Sequence, residues 1–236
     1  MEILGIIPAR GGSKGIPQKN LRKIMGKPMI QYSFDAAKKS KINKVLLTTD
    51  DKKIARFAKS LGIEAPFLRP KNLSTDSAKT FDVIKHSINY LWDNDGYSPD
   101  IVVILQPTSP LRTSQMIDES IGLLQKKNTT SVISVSKIKT HPYSAFFLKN
   151  NFLKPFRDDF KKFDRRQQYT PLYFPTGAIY TTWNDTIKKH NSIYGDKIRP
   201  MITEQPSSVD IDTKFDMFIA EMTLSNWKNY QRKFHA

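Results

Sequence analysis

Ile3-Leu4-Gly5-Ile6-Ile7-Pro8-Ala9-Arg10-Gly11-Gly12-Ser13-Lys14-Gly15-Ile16-Pro17-Gln18-Lys19-Asn20 begins as an apolar run and breaks into a glycine-rich segment carrying three cations, a hydroxyl and two amides. Such a break is expected where a buried strand ends in a loop that wraps an anion. Glycines let backbone N–H groups converge on phosphate oxygens, and basic side chains offset the charge. The opening therefore reads as a strand leading into a polyphosphate loop.

Similar short Ile/Val/Leu-rich runs recur at 44–49, 64–68, 100–106 and 130–135, as strands buried on both faces require. Between them Phe81, Ile84, Ile88 and Leu91, and then Ile117, Ile121 and Leu124, step by three or four residues as helices do. Asp51 and Ser114 stand where N-caps are expected. Alternating strands and helices predict a mostly parallel sheet covered by helices on both faces, a three-layer α/β/α domain spanning 1–236. Ligands of such sheets bind beyond the carboxyl ends of the strands. The opening loop and the turn Gln106-Pro107-Thr108-Ser109-Pro110-Leu111-Arg112 both fall there.

The alternation fails over 137–174, a polar, basic stretch with irregular aromatics. Asn150-Asn151 reads as the tip of a hairpin between 145–149 and 152–156. A hairpin this rich in aromatics cannot bury them alone, so it is expected to protrude as an arm that packs on another subunit. Strands are expected again at 177–183 and 199–203, followed by a helix over 213–230 with an apolar face of Phe215, Phe218, Ile219 and Met222.

The 236 residues carry 38 Lys and Arg against 22 Asp and Glu, a formal charge of +16, with no cysteine. The lysines are scattered over element ends without the interleaved aromatics of a single-strand binder, so no nucleic-acid partner is expected. No run of about 18 apolar residues argues for a membrane span. Neither a signal peptide nor a cysteine framework is visible, and a cytoplasmic address is expected.

The opening loop matches neither G-x-x-x-x-G-K-[ST] nor G-x-G-x-x-G. Gly11-Gly12-Ser13-Lys14-Gly15 does fit the G-x-S-x-G of serine hydrolases, but Pro17 and Lys19-Asn20 continue a loop where that motif needs a helix. Asp210-Ile211-Asp212 is a second constellation. In an extended segment both carboxylates face one way and Ile211 the other. Paired oxygen ligands beside a phosphate loop suit Mg²⁺, whose remaining positions phosphates and water fill. Thr213 and Asp216 have capping-box spacing for the following helix. Arg165-Arg166-Gln167-Gln168 offers paired guanidinium groups suited to a carboxylate.

Taken in order, these motifs with Gly177-Ala178-Ile179-Tyr180 resemble the CMP-sialic acid synthetases, or N-acylneuraminate cytidylyltransferases, including members that activate legionaminic acid. The resemblance covers nearly the whole chain, from residue 3 to about 225. It implies a Rossmann-like nucleotidyltransferase that moves CMP from CTP onto an acidic nine-carbon sugar, and a homodimer formed through the 137–174 arm. It implies that Ala9, Arg10, Gly11, Ser13, Lys14, Lys19, Asn20, Arg69 and Thr80 hold the nucleotide, with Arg10, Lys14, Lys19, Asp210 and Asp212 acting in catalysis. Asp210 and Asp212 would hold Mg²⁺. Gln106, Arg166, Gln167, Thr176, Gly177 and Tyr180 would meet the sugar, Arg166 from the partner subunit. Thr176, Phe174 and Ser144 replace an asparagine, an arginine and a lysine found in some relatives, so the class of sugar is implied but not its identity. Legionaminic, pseudaminic and ketodeoxyoctonic acids are the alternatives, the last disfavoured by the wording of the opening loop. A basic nucleic-acid-binding protein is the rival from another class.

Overall fold

Strand β1, Ile3–Pro8, shows how the opening run is used: all but its last residue are buried. Ile3 and Ile7 pack on one face of the sheet, Leu4 and Ile6 on the other, so a continuous apolar run is required here. The computed structural model describes residues 1–13, 15–157, 169–204 and 206–234. After β1 the chain forms a small hairpin, β2 (Lys23–Ile24) and β3 (Lys27–Pro28), then α1 (Met29–Lys38), β4 (Lys44–Thr48) and α2 (Lys52–Ser60). Next come α3 (Thr80–Asp95), β5 (Ile101–Ile104), α4 (Ser114–Leu124) and β6 (Ser131–Lys137). A second hairpin, β7 (Phe146–Lys149) and β8 (Phe152–Pro155), precedes β9 (Tyr173–Trp183). The chain closes with α5 (Asn184–His190), β10 (Ile198–Ile202) and α6 (Lys214–Phe234).

The central sheet has the order β10-β6-β9-β5-β1-β4. β1 pairs in parallel with β4 and β5, and β10 with β6, while β9 runs antiparallel between β5 and β6. Helices α1, α2 and α4 bury Phe34, Ile54 and Ile121 against one face. Helices α3 and α5 bury Ile84, Leu91 and Ile187 against the other. This is the mostly parallel three-layer α/β/α sandwich the periodicity predicts. None of the helices, among the described residues, is long and apolar enough to cross a membrane.

Several local expectations change. Thr113, not Ser114, caps α4, its side chain accepting from the Met116 N–H at 3.2 Å. Asp51 caps α2 as expected, accepting from the N–H groups of Lys53 and Ile54. The 64–68 strand reduces to one bridge between Leu46 and Glu64, because Pro66 and Pro70 deny it further ladder bonds. β9 begins four residues earlier than its buried apolar core suggests, since β6 pairs with its exposed aromatic start at Tyr173 and Phe174.

Helix α6 inverts its expected apolar face. Met217, Ala220 and Leu224 pack with Ile16, Ile24, Met29 and Ile211 in a third cluster. Phe215, Phe218 and Met222 are instead exposed. Both sides of this helix are apolar, so periodicity alone could not choose between them. The cluster clamps α6 over the opening loop, and the capping box fixes where the helix starts. The Asp216 carboxylate accepts from the Thr213 N–H at 2.7 Å and hydroxyl at 2.8 Å, while Thr213 Oγ1 accepts from the Asp216 N–H.

The β7–β8 hairpin is a separate two-stranded sheet turning on Asn150 and Asn151, both at positive φ. Asparagine tolerates that conformation better than most residues, and it matches the strand twist. At the base of the arm the Ile138 N–H donates to the Leu172 carbonyl, and the rings of His141, Tyr143 and Tyr169 cluster, Tyr143 meeting the other two edge to face. Phe147, Leu148, Phe152 and Leu153 are all more than half exposed.

Candidate active site

The C-terminal ends of β1, β4 and β5 open onto a cleft of about 310 Å³. Eight residues singled out from sequence line it: Arg10, Lys19, Asn20, Arg69, Thr80, Gln106, Asp210 and Asp212. They come from five separate parts of the chain and meet because parallel strands deliver their following loops to one edge.

The floor is built from the opening loop. Asn20 is buried and its Nδ2 donates to the Arg10 carbonyl at 2.9 Å, fixing the backbone from which Arg10 projects. Arg10 pairs with Asp76 across the cleft. Lys19 Nζ donates to the Ile211 carbonyl at 2.8 Å and to Asp212 Oδ1 at 3.0 Å. A Cβ on Gly15 would strike the carbonyl oxygen of Asp212. That glycine is needed for the loop to approach the aspartate segment, whereas sequence reading assigned the loop glycines to phosphate. Gly11 likewise spends its N–H on Asp50 Oδ1 at 2.9 Å, and a Cβ there would meet Asp51.

Arg69 is the least satisfied cation of the cleft. It is 6% exposed, and its Nε and Nη2 have no hydrogen-bond partner among the described residues. Asp50 lies 3.8 Å away, beyond hydrogen-bond length. Burial holds the Arg69 pKa below its ordinary value, with Asp50 opposing and Arg10 adding to that shift. A buried guanidinium short of acceptors in an open cleft is ready to take them from a ligand.

Ile211 is fully buried, and its N–H donates to the Thr108 carbonyl at 2.9 Å, so Asp210 and Asp212 are left facing the cleft as the alternation predicts. Asp210 keeps contact with solvent, yet the cleft walls desolvate its carboxylate and raise its pKa. The Thr108 hydrogen bond works against that rise and Asp212 adds to it. Two hard carboxylates at a cation-lined cleft fit Mg²⁺ if phosphate oxygens and water supply the other positions. No cluster of three or more metal-ligating side chains occurs among the described residues.

A second cavity of about 330 Å³ shares Thr80 and Gln106 with the first and adds Lys79, Tyr180, Ser192 and Tyr194. Burial, then Tyr194 and Asp210, pushes the Tyr180 phenol up to about 12, so it stays a hydrogen-bond donor at neutral pH. Gly177, at φ +74, sits where a Cβ would come within 2.7 Å of Gln106 Oε1. It marks the register shift between β6 and β9.

Other expected contacts fall differently. The Thr176 hydroxyl turns inward, donating to Ser134 Oγ at 2.8 Å, and so holds the β9 kink instead of facing either cavity. Ala9 is buried, its N–H bonded to the Thr48 carbonyl. Ser13 is half-buried and lines neither cavity. Lys14, Arg166 and Gln167 lie outside the described residues. Sequence reading missed Asp50, Asp76, Thr108, Ser192 and Tyr194. Asp50 carried one usable signal, its place just past a parallel strand and beside the cap residue Asp51.

The family model for cytidylyltransferases matches residues 4–229. The chain is 35% identical to a CMP-N,N'-diacetyllegionaminic acid synthase of Legionella pneumophila, over 94% of this chain and 95% of that protein. It is 33% identical to an N-acylneuraminate cytidylyltransferase of Escherichia coli over 98% of its length, but spans only 54% of that longer relative. Among solved structures, a CMP:2-keto-3-deoxy-manno-octonic acid synthetase complexed with CTP superposes with a TM-score of 0.69. That match covers 96% of this chain and 100% of the other, at 16% identity, and bears on the fold alone.

Proposed function

The chain belongs to the cytidylyltransferase family, and we propose that it transfers CMP from CTP to the anomeric hydroxyl of a nonulosonic acid. In this reaction the hydroxyl oxygen bonds to the α-phosphorus and gives up its proton to solvent, the bond from the α-phosphorus to the bridging oxygen breaks, and pyrophosphate leaves. The observation that carries the reading is Arg69, buried and short of acceptors, in the same cleft as Arg10, Lys19 and paired aspartates. Arg10 and Lys19 would exchange Asp76 and Asp212 for phosphate oxygens and stabilise charge on the leaving group. Asp210 and Asp212 would hold Mg²⁺, which when bound supplies positive charge to the triphosphate. The adjoining cavity would seat the sugar, with Gln106 and Tyr180 as hydrogen-bonding groups and Lys79 as a cation for its carboxylate.

The likeness to the Legionella protein supports this acceptor class: N,N'-diacetyllegionaminic acid is in its name, and the match covers 95% of its length. The exposed apolar arm supports a homodimer contact over 137–174. Pyrophosphate release with CTP and sialic, legionaminic, pseudaminic or ketodeoxyoctonic acid tests the reading. Release is expected with one of the first three. No release with any of them would overturn it.

A further inference from the structure

We infer that Arg112 is a positioning residue for the acceptor side of the site, holding Gln106 and the β9 kink in register through its guanidinium. It lies at the far end of the 106–112 turn and is 4% exposed. Nη1 donates to the Gln106 carbonyl at 3.0 Å and to the Ala178 carbonyl at 2.6 Å, and Nη2 to Ser33 Oγ. One planar group thereby joins three elements: the turn after β5, strand β9 just past Gly177, and helix α1.

No carboxylate is paired with it among the described ion pairs, and its Nε is without a partner among the described residues. Burial alone pulls its pKa down to about 9. An unpaired buried cation is a costly way to stitch a turn, and apolar packing would often serve stability better. The placement accounts for it. Gln106 is one of two residues, with Thr80, shared by both cavities, and its Oε1 comes within 2.7 Å of the Cβ position of Gly177. A shift of either backbone carbonyl would move the Gln106 side chain that lines both cavities. The nucleotide cations Arg10, Lys19 and Arg69 stand on other segments, the first two bonded to other partners and Arg69 facing Asp50 at 3.8 Å. Gln106 also lines the first cleft, but β9, whose Ala178 carbonyl Arg112 holds, supplies Tyr180 to the wall of the second cavity, so Arg112 should govern the acceptor more than CTP affinity.

The inference rests on reading the second cavity as the acceptor side. Arg112→Lys keeps a charge but cannot span three acceptors, and Arg112→Met keeps the bulk without donors. In variants whose thermal melts show a folded protein, acceptor kcat/KM is expected to fall by about tenfold or more while the CTP Kd stays within about twofold. Amide exchange is expected to speed up over 105–113 and 174–180 but not over 3–12. Unchanged acceptor kinetics and exchange in the folded Lys variant would overturn the inference, as would CTP affinity falling in step with acceptor kinetics. Exchange requires no substrate, so wild-type inactivity on every acceptor would count against the reaction while exchange still decides the role of Arg112.

Discussion

The cleft and the β7–β8 hairpin are both unfinished surfaces, of opposite kinds. The cleft holds polar groups away from water without completing their hydrogen bonds, as at Arg69. The hairpin holds apolar groups in water without covering them, as at Leu148 and Phe152, 74% and 75% exposed. A buried donor lacking an acceptor costs about 1–3 kcal/mol, and an exposed large apolar side chain forgoes about as much. Each deficit indicates what would relieve it: a compact, acceptor-rich anion in one case and a protein surface in the other. The cleft is also braced by Asn20, Asp50 and Ile211, whereas the strands of the hairpin, among the described residues, pair only with each other.

The sharpest way to break this comparison is to disarm the cleft without touching its bracing. Asp212→Ala removes a side chain that is 74% exposed, so the melting temperature should barely move. Turnover should fall roughly 10²–10³-fold, measured as pyrophosphate release. Undiminished turnover would remove Asp212 from the site. Gly15→Ala attacks the bracing itself, because the new methyl group collides with the Asp212 backbone. Lost stability of about 1–3 kcal/mol is expected, with weaker CTP binding, from a denaturant titration and calorimetry. A fully stable variant would mean that the loop and the aspartate segment are not held together there. The smallest effect belongs to the hairpin. Phe152→Ser with Leu153→Ser should leave the melting temperature of dilute protein unchanged while weakening self-association by about 1–2 kcal/mol per side chain. Light scattering over a concentration series would show it, and an unaltered oligomeric state would separate the arm from the dimer.

Much of this was legible in advance, and the failures share a cause. The β1 strand, the caps at Asp51 and Thr213, the Asn150-Asn151 turn and the inward Ile211 follow from local rules acting within a few residues. The failures concern choices between two acceptable partners. Asp50 could cap a helix or bond to the opening loop, and the loop took it because β1 and β4 are neighbours in the sheet. Thr176 could face a sugar or Ser134, and the β9 kink turned it inward. Helix α6 offered two apolar sides, and the surface of the opening loop decided which was buried.

The sequence by itself determined the alternation of elements, the edge at which the strand-following loops gather and the cationic and acidic residue types that line the cleft there. These depend on periodicity and chemistry, which a chain carries locally. Only the tertiary structure decided that Gly15 and Lys19 close on Asp212, and that Arg112 joins α1 to β9. Such contacts join segments far apart in the chain, and a long-range contact is specified by what the folded layers bring together, not by the residues beside it.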